Sequence, residues 1–285
     1  MPKAFAGPNA FAGPAAFAGI ALDRPRLVGV VNVTPDSFSD GGRFLDPAVA
    51  IEQGRRLVEQ GAAMLDIGGE STRPGAAAVP ADEQLLRVLP VIEGLVDCGA
   101  PLSIDTRSAQ VMRAAVAAGA ALVNDISALA HDPEALDTVA ALGCPVILMH
   151  MRGDPATMRE KPHYDDVVGE VTAELAARIA ACEAAGIARD RICIDPGLGF
   201  AKASAHNEAV LRGLGEFHAL ACPIMVGASR KGLVRAVKRR AAPGERLAAS
   251  IVAALIAAEA GVQLLRVHDV AETAQALAVW LAVRG

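Results

Sequence analysis

Aromatic side chains are scarce in this chain: seven Phe, one Tyr and one Trp make up 3% of its 285 residues. A surface that stacks nucleic-acid bases on rings is therefore poorly supported, and the core has to be mostly aliphatic. The net charge of −5 also argues against a protein that binds the phosphate backbone. The sequence therefore predicts no nucleic-acid partner.

Long apolar runs and closely spaced cysteines are lacking as well. The best candidate for a membrane span, residues 247–258, is cut off by Glu259 and falls short of the roughly 18 residues that a span needs. The five cysteines are widely spaced and form no Cys-x-x-Cys pair, and their odd number indicates buried thiols in a reducing compartment. We expect a soluble, cytoplasmic protein with no membrane partner.

The N-terminus carries a hexapeptide repeat: AFAGPN at 4–9, AFAGPA at 10–15 and AFAGIA at 16–21. A unit this short has no supersecondary structure to stack, and its prolines would break a helix. We predict a flexible arm over residues 1–24 and a catalytic domain over 25–285. A secretory signal is the alternative, because Lys3 precedes an uncharged stretch, but the regular Pro and Gly disfavour the helical apolar region of such signals.

From Leu27 onward, short β-branched runs alternate with longer segments of helical period, as in βα units around a parallel sheet. The runs predict eight strands, at 27–32, 63–67, 102–105, 121–125, 146–149, 192–195, 224–226 and 263–267. Eight strands that are each followed by a helix indicate an α/β fold, the (β/α)8 TIM barrel, which usually has about 250 residues. A doubly wound sheet is the alternative, but the first strand does not lead into a Gly-x-Gly-x-x-Gly turn.

Polar residues stand where these strands end, which is where TIM barrels carry their chemistry. They are Asn32, Asp66, Asp105, Asn124, Asp125, His150, Asp195, Ser229, Arg230, Lys231, Arg266 and His268. Asp105, Asn124, Asp195 and Lys231 come from four different strands and offer acceptors, an amide and a cationic donor to one cavity. That set matches a flat heterocycle such as a pterin or a guanine-like ring.

A second group of these residues suits an anion. Arg266 and His268 share one face of the last strand, and barrel closure makes Asn32 their neighbour. A guanidinium, an imidazole and a neutral oxygen fit a phosphate or pyrophosphate, with Asn32 able to ligate Mg²⁺. The loops 34–42 and 68–75 are rich in Gly and hydroxyl residues and can act as lids. The turn 227–232 enters a helix, whose backbone N–H groups favour a carboxylate.

Taken together, eight motifs in this order resemble the dihydropteroate synthase family over about residues 27–285. They are NVTPDSFSDGG (32–42), DIGGESTRPG (66–75), SIDT (103–106), NDIS (124–127), MHMRG (149–153), DPGLGF (195–200), SRK (229–231) and RVH (266–268). The resemblance implies that 6-hydroxymethyl-7,8-dihydropterin pyrophosphate and p-aminobenzoate condense to 7,8-dihydropteroate and pyrophosphate. It also implies a homodimer and Mg²⁺ as cofactor.

The resemblance also implies a role for each residue. Asp105, Asn124, Asp195 and Lys231 would hold the pterin between Met149 and Phe200, and Asn32 would bind the metal. Thr72, Arg266 and His268 would hold the pyrophosphate, and Ser229 would take the p-aminobenzoate carboxylate beside Arg230, Phe38 and Pro74. The substrate-binding set further includes Arg73, Gly227 and Val267, and the catalytic set is Asp105, Lys231, Arg266, His268 and Asp40.

The residues favour a substitution with dissociative character, because buried carboxylates can stabilise a cation delocalised into the pterin ring. A corrinoid-dependent methyltransferase with a pterin-binding barrel is one alternative, but it would not require the 229–231 turn or the Arg266-x-His268 pair. A non-catalytic paralogue is the other. Loss of loop residues would be its sign, and those residues are present here.

Overall fold

The structure is a computed structural model, and it describes residues 14–34, 46–73, 75–158, 163–233, 242 and 245–284. Its strands are β1 (Ala16–Phe17), β2 (Ile20–Ala21), β3 (Arg26–Asn32), β4 (Ala62–Gly68), β5 (Leu102–Asp105), β6 (Leu122–Asp125), β7 (Val146–Met149), β8 (Ile192–Asp195), β9 (Met225–Val226) and β10 (Leu264–Val267). Strands β3 to β10 match the eight predicted strands to within about two residues at each end.

Strands β3 to β10 form one parallel sheet in the order β8-β7-β6-β5-β4-β3-β10-β9. A parallel bridge between Ile194 and Ile224 joins the two edge strands, and Ile194 N donates to Pro223 O at 2.9 Å. The sheet therefore closes on itself into a barrel. The predicted (β/α)8 barrel is confirmed.

Eight α-helices surround the barrel within the described ranges. They are α1 (Pro47–Glu59), α2 (Ala81–Leu95), α3 (Ala109–Ala117), α4 (Ala135–Leu142), α5 (Val167–Ala184), α6 (Ser204–Arg212), α7 (Leu247–Glu259) and α8 (Val270–Arg284), with 3₁₀ segments at Arg189–Arg191 and Leu214–Leu220. Local chemistry sets several of their ends. Asp46 caps α1 by accepting from Ala48 N at 2.9 Å, with Pro47 in the first turn, and Gly143 closes α4 in the left-handed region.

Two apolar cores result from the two-residue repeat of the strands. Residues such as Val31, Leu65, Ile104 and Leu148 point outward and pack under the helices. Their neighbours in sequence point into the barrel, so the strands are buried on both faces, as in other all-parallel sheets. Aliphatic side chains fill most of both cores, which is why so few aromatic residues suffice.

Residues 14–24 differ from the flexible arm that we expected over 1–24. Ala16–Phe17 and Ile20–Ala21 pair as a short antiparallel hairpin, and Leu22 N donates to Ala15 O at 2.9 Å. Phe17 is only 1% exposed and packs on the interior residues at the amino ends of the strands. Only the third repeat has Ile where the others have Pro, so only it has a backbone N–H and an unconstrained backbone at that position. The first two copies lie outside the described residues, except for Pro14 and Ala15.

None of the helices in the described ranges is long and apolar enough to cross a membrane. All five cysteines are free thiols, and four of them are buried.

Candidate active site

The side chains that point into the barrel change character along its axis. The layer near the amino ends of the strands is apolar and consists of Val28, Met64, Leu122, Ile147, Cys193, Met225 and Leu264. Two residues further along six of those strands stand Asp66, Asn124, Met149, Asp195, Gly227 and Arg266. Because side-chain direction repeats every two residues, these follow the apolar layer on the same interior face. The carboxyl end of the barrel thus gathers the predicted polar residues.

Arg266 lies at the centre of this group. Its Nε donates to Asp66 Oδ2 at 2.6 Å, and its Nη2 donates to Asp105 Oδ2 at 2.9 Å. Asp66 Oδ2 also accepts from Asn124 Nδ2 at 3.0 Å. The guanidinium therefore reaches across the barrel to two carboxylates. We expected it beside Asn32 and His268 in an anion site.

Asp66 was missed as a site residue by the sequence reasoning. It is fully buried and connects Asn124 of the predicted pterin site with Arg266 of the predicted pyrophosphate site. Its position at a strand end was visible in the sequence, but its contact with a residue 200 positions away was not.

Two buried oxygens in this group have no hydrogen-bond partner among the described residues: Asp66 Oδ1 and Asn124 Oδ1. A buried acceptor without a donor is costly, so such atoms mark a place where a ligand or ordered water donates. Together with Asp105 and Asp195, they give the cavity several acceptors for ring N–H and amine groups.

The charges in the cavity shift each other's pKa values. Burial and, after it, the neighbouring Asp66 raise the pKa of Asp105 to about 7, although the charge of Arg266 opposes both. Burial also raises the pKa of Asp195, against the attraction of Lys231. The pKa of Lys231 falls to about 8 through burial, although Asp195 favours its charged form. Shifts of this kind concentrate at functional sites.

Lys231, Phe200 and Met149 form one wall of the cavity. Lys231 Nζ donates to Leu198 O at 2.7 Å and lies 4.5 Å from the centre of the Phe200 ring. Phe200 and Met149 belong to one small apolar cluster with Ile126, Met158 and Ala201. The structure therefore brings together the two side chains that were expected to contact a flat ring.

Ser229 and His268 meet at the neighbouring edge of the barrel. Ser229 Oγ accepts from His268 N at 3.2 Å and lies 3.1 Å from His268 Nδ1. Burial, followed by the charges of Arg266 and Arg230, lowers the pKa of His268 to about 3, so this imidazole is neutral at physiological pH. The Arg230 guanidinium pairs with Asp269 through Nε at 3.1 Å and Nη2 at 2.5 Å.

Three predicted site residues, Phe38, Asp40 and Pro74, lie outside the described residues, as does the segment 234–241 where the turn was expected to enter a helix. Gly227 is described, and a Cβ there would lie 3.7 Å from Lys231 Nζ. Val267 packs its side chain into the outer core, so only its backbone faces the site.

The loop that carries Thr72 and Arg73 is anchored by an ion pair that the sequence reasoning did not find. Arg107 Nη2 donates to Glu70 at 3.0 Å, and both side chains are buried. Glu70 Oε1 also accepts from Val79 N at 3.0 Å. Thr72 is half-buried and Arg73 is exposed, so both lie closer to solvent than the buried Glu70–Arg107 pair that holds the loop.

Asn32 ends β3 and is half-buried. Its amide oxygen is a hard, neutral donor of the kind that Mg²⁺ accepts alongside phosphate oxygens and water. No cluster of three or more His, Cys, Asp or Glu within the described ranges could hold a metal ion by itself. Asn32 could therefore supply one ligand to a metal ion, whose other ligands would have to come largely from elsewhere.

Comparison with known proteins places this geometry in a family. The model of the pterin binding enzymes matches residues 28–268. Dihydropteroate synthase of Escherichia coli K12 is 45% identical over 259 residues, which cover 90% of this chain and 91% of the relative. The chain belongs to the pterin binding enzymes and, within them, to the dihydropteroate synthases.

Solved structures agree with this assignment. Xanthomonas albilineans dihydropteroate synthase with 4-aminobenzoic acid is 54% identical, with a TM-score of 0.88 and coverage of 94% of this chain and 97% of that one. The same enzyme in complex with 7,8-dihydropteroate has a TM-score of 0.84 at 50% identity, with coverage of 93% and 96%.

Proposed function

We propose that this enzyme condenses 6-hydroxymethyl-7,8-dihydropterin pyrophosphate with p-aminobenzoate to give 7,8-dihydropteroate and pyrophosphate, a step of folate biosynthesis. The observation that carries the proposal is the cavity at the carboxyl end of the barrel. There Asp105, Asn124, Asp195 and Lys231 converge around buried, unpartnered acceptors. The presence of Ser229 and of the Arg266-x-His268 pair favours this reaction over methyl transfer to a corrinoid.

The pterin ring would donate its N–H and amine hydrogens to the carboxylates of Asp105 and Asp195 and to Asn124 Oδ1. Lys231 would donate to the ring carbonyl from the wall that it shares with Phe200. A flat ring in this place replaces water around several buried charges. Its hydrogen bonds are therefore made in an environment of low polarity, where they are stronger than in water.

The reaction exchanges one bond of the pterin methylene for another. The carbon–oxygen bond to pyrophosphate breaks, and both electrons leave with the oxygen. The amine nitrogen of p-aminobenzoate then bonds to the same carbon and loses a proton. The ring carries positive charge between these events, and the nearby carboxylates of Asp105 and Asp66 favour that charge. The protein provides positioning and electrostatics, and no covalent nucleophile is required.

The leaving pyrophosphate would be held by Thr72, by His268 and by the part of the Arg266 guanidinium that Asp66 and Asp105 do not engage, with Arg73 nearby. Asn32 would hold Mg²⁺, which when bound supplies positive charge to the pyrophosphate oxygens. For the p-aminobenzoate carboxylate, Ser229 offers a hydroxyl and Arg230 offers the part of its guanidinium that Asp269 does not engage. Phe38, Asp40 and Pro74 would complete the site from the two loops.

The active form would be a homodimer. The outer faces of α7 and α8 carry the exposed apolar side chains Val252, Ile256, Val279 and Val283. Apolar side chains grouped on adjacent helices mark a surface that a partner covers, and a second copy of this chain is the occupant that we propose. Sedimentation of a monomer at micromolar concentration would contradict this. The buried free thiols suit a reducing compartment, and we place the reaction in the cytoplasm.

The decisive experiment measures pyrophosphate release from the purified enzyme with both substrates and with each one omitted. Release should require both, and product should form in equal amount. Turnover that needs neither would overturn the proposal. Asp105→Asn should reduce turnover strongly, because it removes a buried carboxylate that accepts from Arg266 Nη2 at 2.9 Å while preserving the shape of the side chain.

A further inference from the structure

The turn after β8 carries two residues of the pterin site, Asp195 and Phe200, on a backbone with little intrinsic stiffness. Gly197 and Gly199 both adopt positive φ angles, of 69° and 83°. A Cβ at Gly197 would lie 1.9 Å from His150 O, so no other residue fits there. Glycine allows the conformation but does not favour it over others. Something else has to hold this turn in place.

Two lysine ammonium groups donate to its carbonyls. Lys231 reaches the turn from the cavity and donates to Leu198 O. Lys202 reaches it from outside the cavity, where Nζ donates to Gly197 O at 3.1 Å and to Phe200 O at 3.2 Å. The two lysines thus bind three carbonyl groups within four residues. Lys202 is 8% exposed, and the proposed reaction gives it no role.

The third proton of Lys202 points at a histidine. Its Nζ lies 2.9 Å from His150 Nδ1, and His150 Nε2 lies 2.9 Å from Glu174 Oε2. Burial and the charge of Lys202 lower the pKa of His150 to about 4, so the ring is neutral, accepts at Nδ1 and donates at Nε2. Arg152 holds Glu174 in turn through Nε at 3.0 Å. The chain of contacts ties the turn to α5.

We propose that Lys202 is a positioning residue for the pterin substrate. All three of its donors are used inside the protein, so it does not touch the substrate itself. Lys202 fixes the carbonyls of Gly197 and Phe200. This in turn sets the position of the Phe200 ring and of Leu198 O, and Leu198 O accepts from Lys231 and so orients it. The proposal rests on the proposed function, because it assigns this wall to pterin.

The test compares Lys202→Met with Arg189→Met. Met has similar length but no donor. Arg189 is the control. It lies just before the amino end of β8, and like Lys202 it donates to a backbone carbonyl, that of Leu220. Lys202→Met should raise the KM for the pterin pyrophosphate by about tenfold or more and leave the KM for p-aminobenzoate within about twofold. Arg189→Met should change neither.

A pH series adds a readout that a merely structural role would not move. The titratable and charged groups that face Lys202 are Asp195, Glu174, Lys231, Arg152, His150 and Tyr164, and burial lowers the pKa of Lys202 to about 7. Loss of its proton leaves one acceptor of the three without a donor. Asp105 and Lys231, with pKa values of about 7 and about 8, titrate in the same range in both proteins, so the contribution of Lys202 is the difference between their two pH profiles. As the pH rises through this range, pterin affinity should fall more steeply in the wild type than in Lys202→Met, and identical slopes would contradict the proposal.

Calorimetry with the pterin pyrophosphate alone separates the possible failures. If the wild type neither binds it nor turns over, the proposed function fails. If the wild type does both, and Lys202→Met matches Arg189→Met in both KM values, only the role of Lys202 is overturned. Should the Met variant not fold, Lys202→Gln must still raise the KM for the pterin by about threefold or more, and an unchanged value overturns the proposal.

Discussion

Replacing Asp66 with Asn tests the network at the centre of the site. Asp66 Oδ2 accepts from Arg266 Nε and from Asn124 Nδ2 in a fully buried position. Asn has nearly the same shape and keeps one carbonyl oxygen, but it loses the charge. The substitution therefore removes the ionic part of both contacts and creates no cavity.

The size of the effect follows from those two contacts. A hydrogen bond to a charged group contributes about 1.5–3 kcal/mol, and a neutral one about 0.5–1.5 kcal/mol. Weakening the two contacts in this way costs about 1–3 kcal/mol, which corresponds to roughly a 5- to 150-fold change in an equilibrium or rate constant. The loss should appear in kcat/KM for the pterin pyrophosphate, because Arg266 and Asn124 both face the pterin cavity.

The assay follows pyrophosphate release with one substrate varied at a time. Asp125→Asn is the control: Asp125 is equally buried at the end of β6, but its carboxylate accepts from Ser127 and Leu129 in its own loop. The acid limb of the pH profile of Asp66→Asn should also move to lower pH, because Asp66 helps to raise the pKa of Asp105. A folded Asp66→Asn enzyme with wild-type kcat/KM and an unchanged pH profile would refute the reasoning.

Three further predictions concern other parts of the molecule. Phe17→Ala should lower the free energy of unfolding by at most about 3–5 kcal/mol, a limit reached only if the loss undocks the hairpin. The thermal midpoint should therefore fall by several degrees, while turnover stays unchanged. Unchanged thermal unfolding would contradict the packing of Phe17. The free energy of unfolding of the wild type should fall as the pH drops below about 6.5. Below that pH the unfolded chain protonates its histidines, whereas buried His150 in the folded protein stays neutral down to about 4, so protons favour the unfolded state. His150→Gln should flatten that slope by up to about 1.4 kcal/mol per pH unit in denaturation curves, and an equal slope would contradict this. Chelation of divalent cations should reduce turnover until Mg²⁺ is restored, and Asn32→Ala should require about tenfold more Mg²⁺, whereas an equal requirement would exclude Asn32 as a ligand.

The site could be predicted from the sequence as far as local rules reach. Side-chain direction alternates along a strand, so residues such as Asp105 and Asp195 at the ends of apolar runs had to face the carboxyl end of a barrel. The motifs around them were sufficient to predict the family. The sequence did not predict the hairpin at 16–21, because Phe17 is buried in a cluster whose other members come largely from seven separate strands.

What the sequence determined by itself was the alternation of strands and helices, the aliphatic core and the set of polar residues at one end of the barrel. These depend on repeats of two residues or on runs of neighbours. Only the tertiary structure decided that Arg266 joins Asp66 to Asp105 and that Lys202 holds the turn after β8 against His150. Those contacts join residues between 52 and 200 positions apart, and they form only when the closed barrel and its packed loops bring separate segments within hydrogen-bond distance.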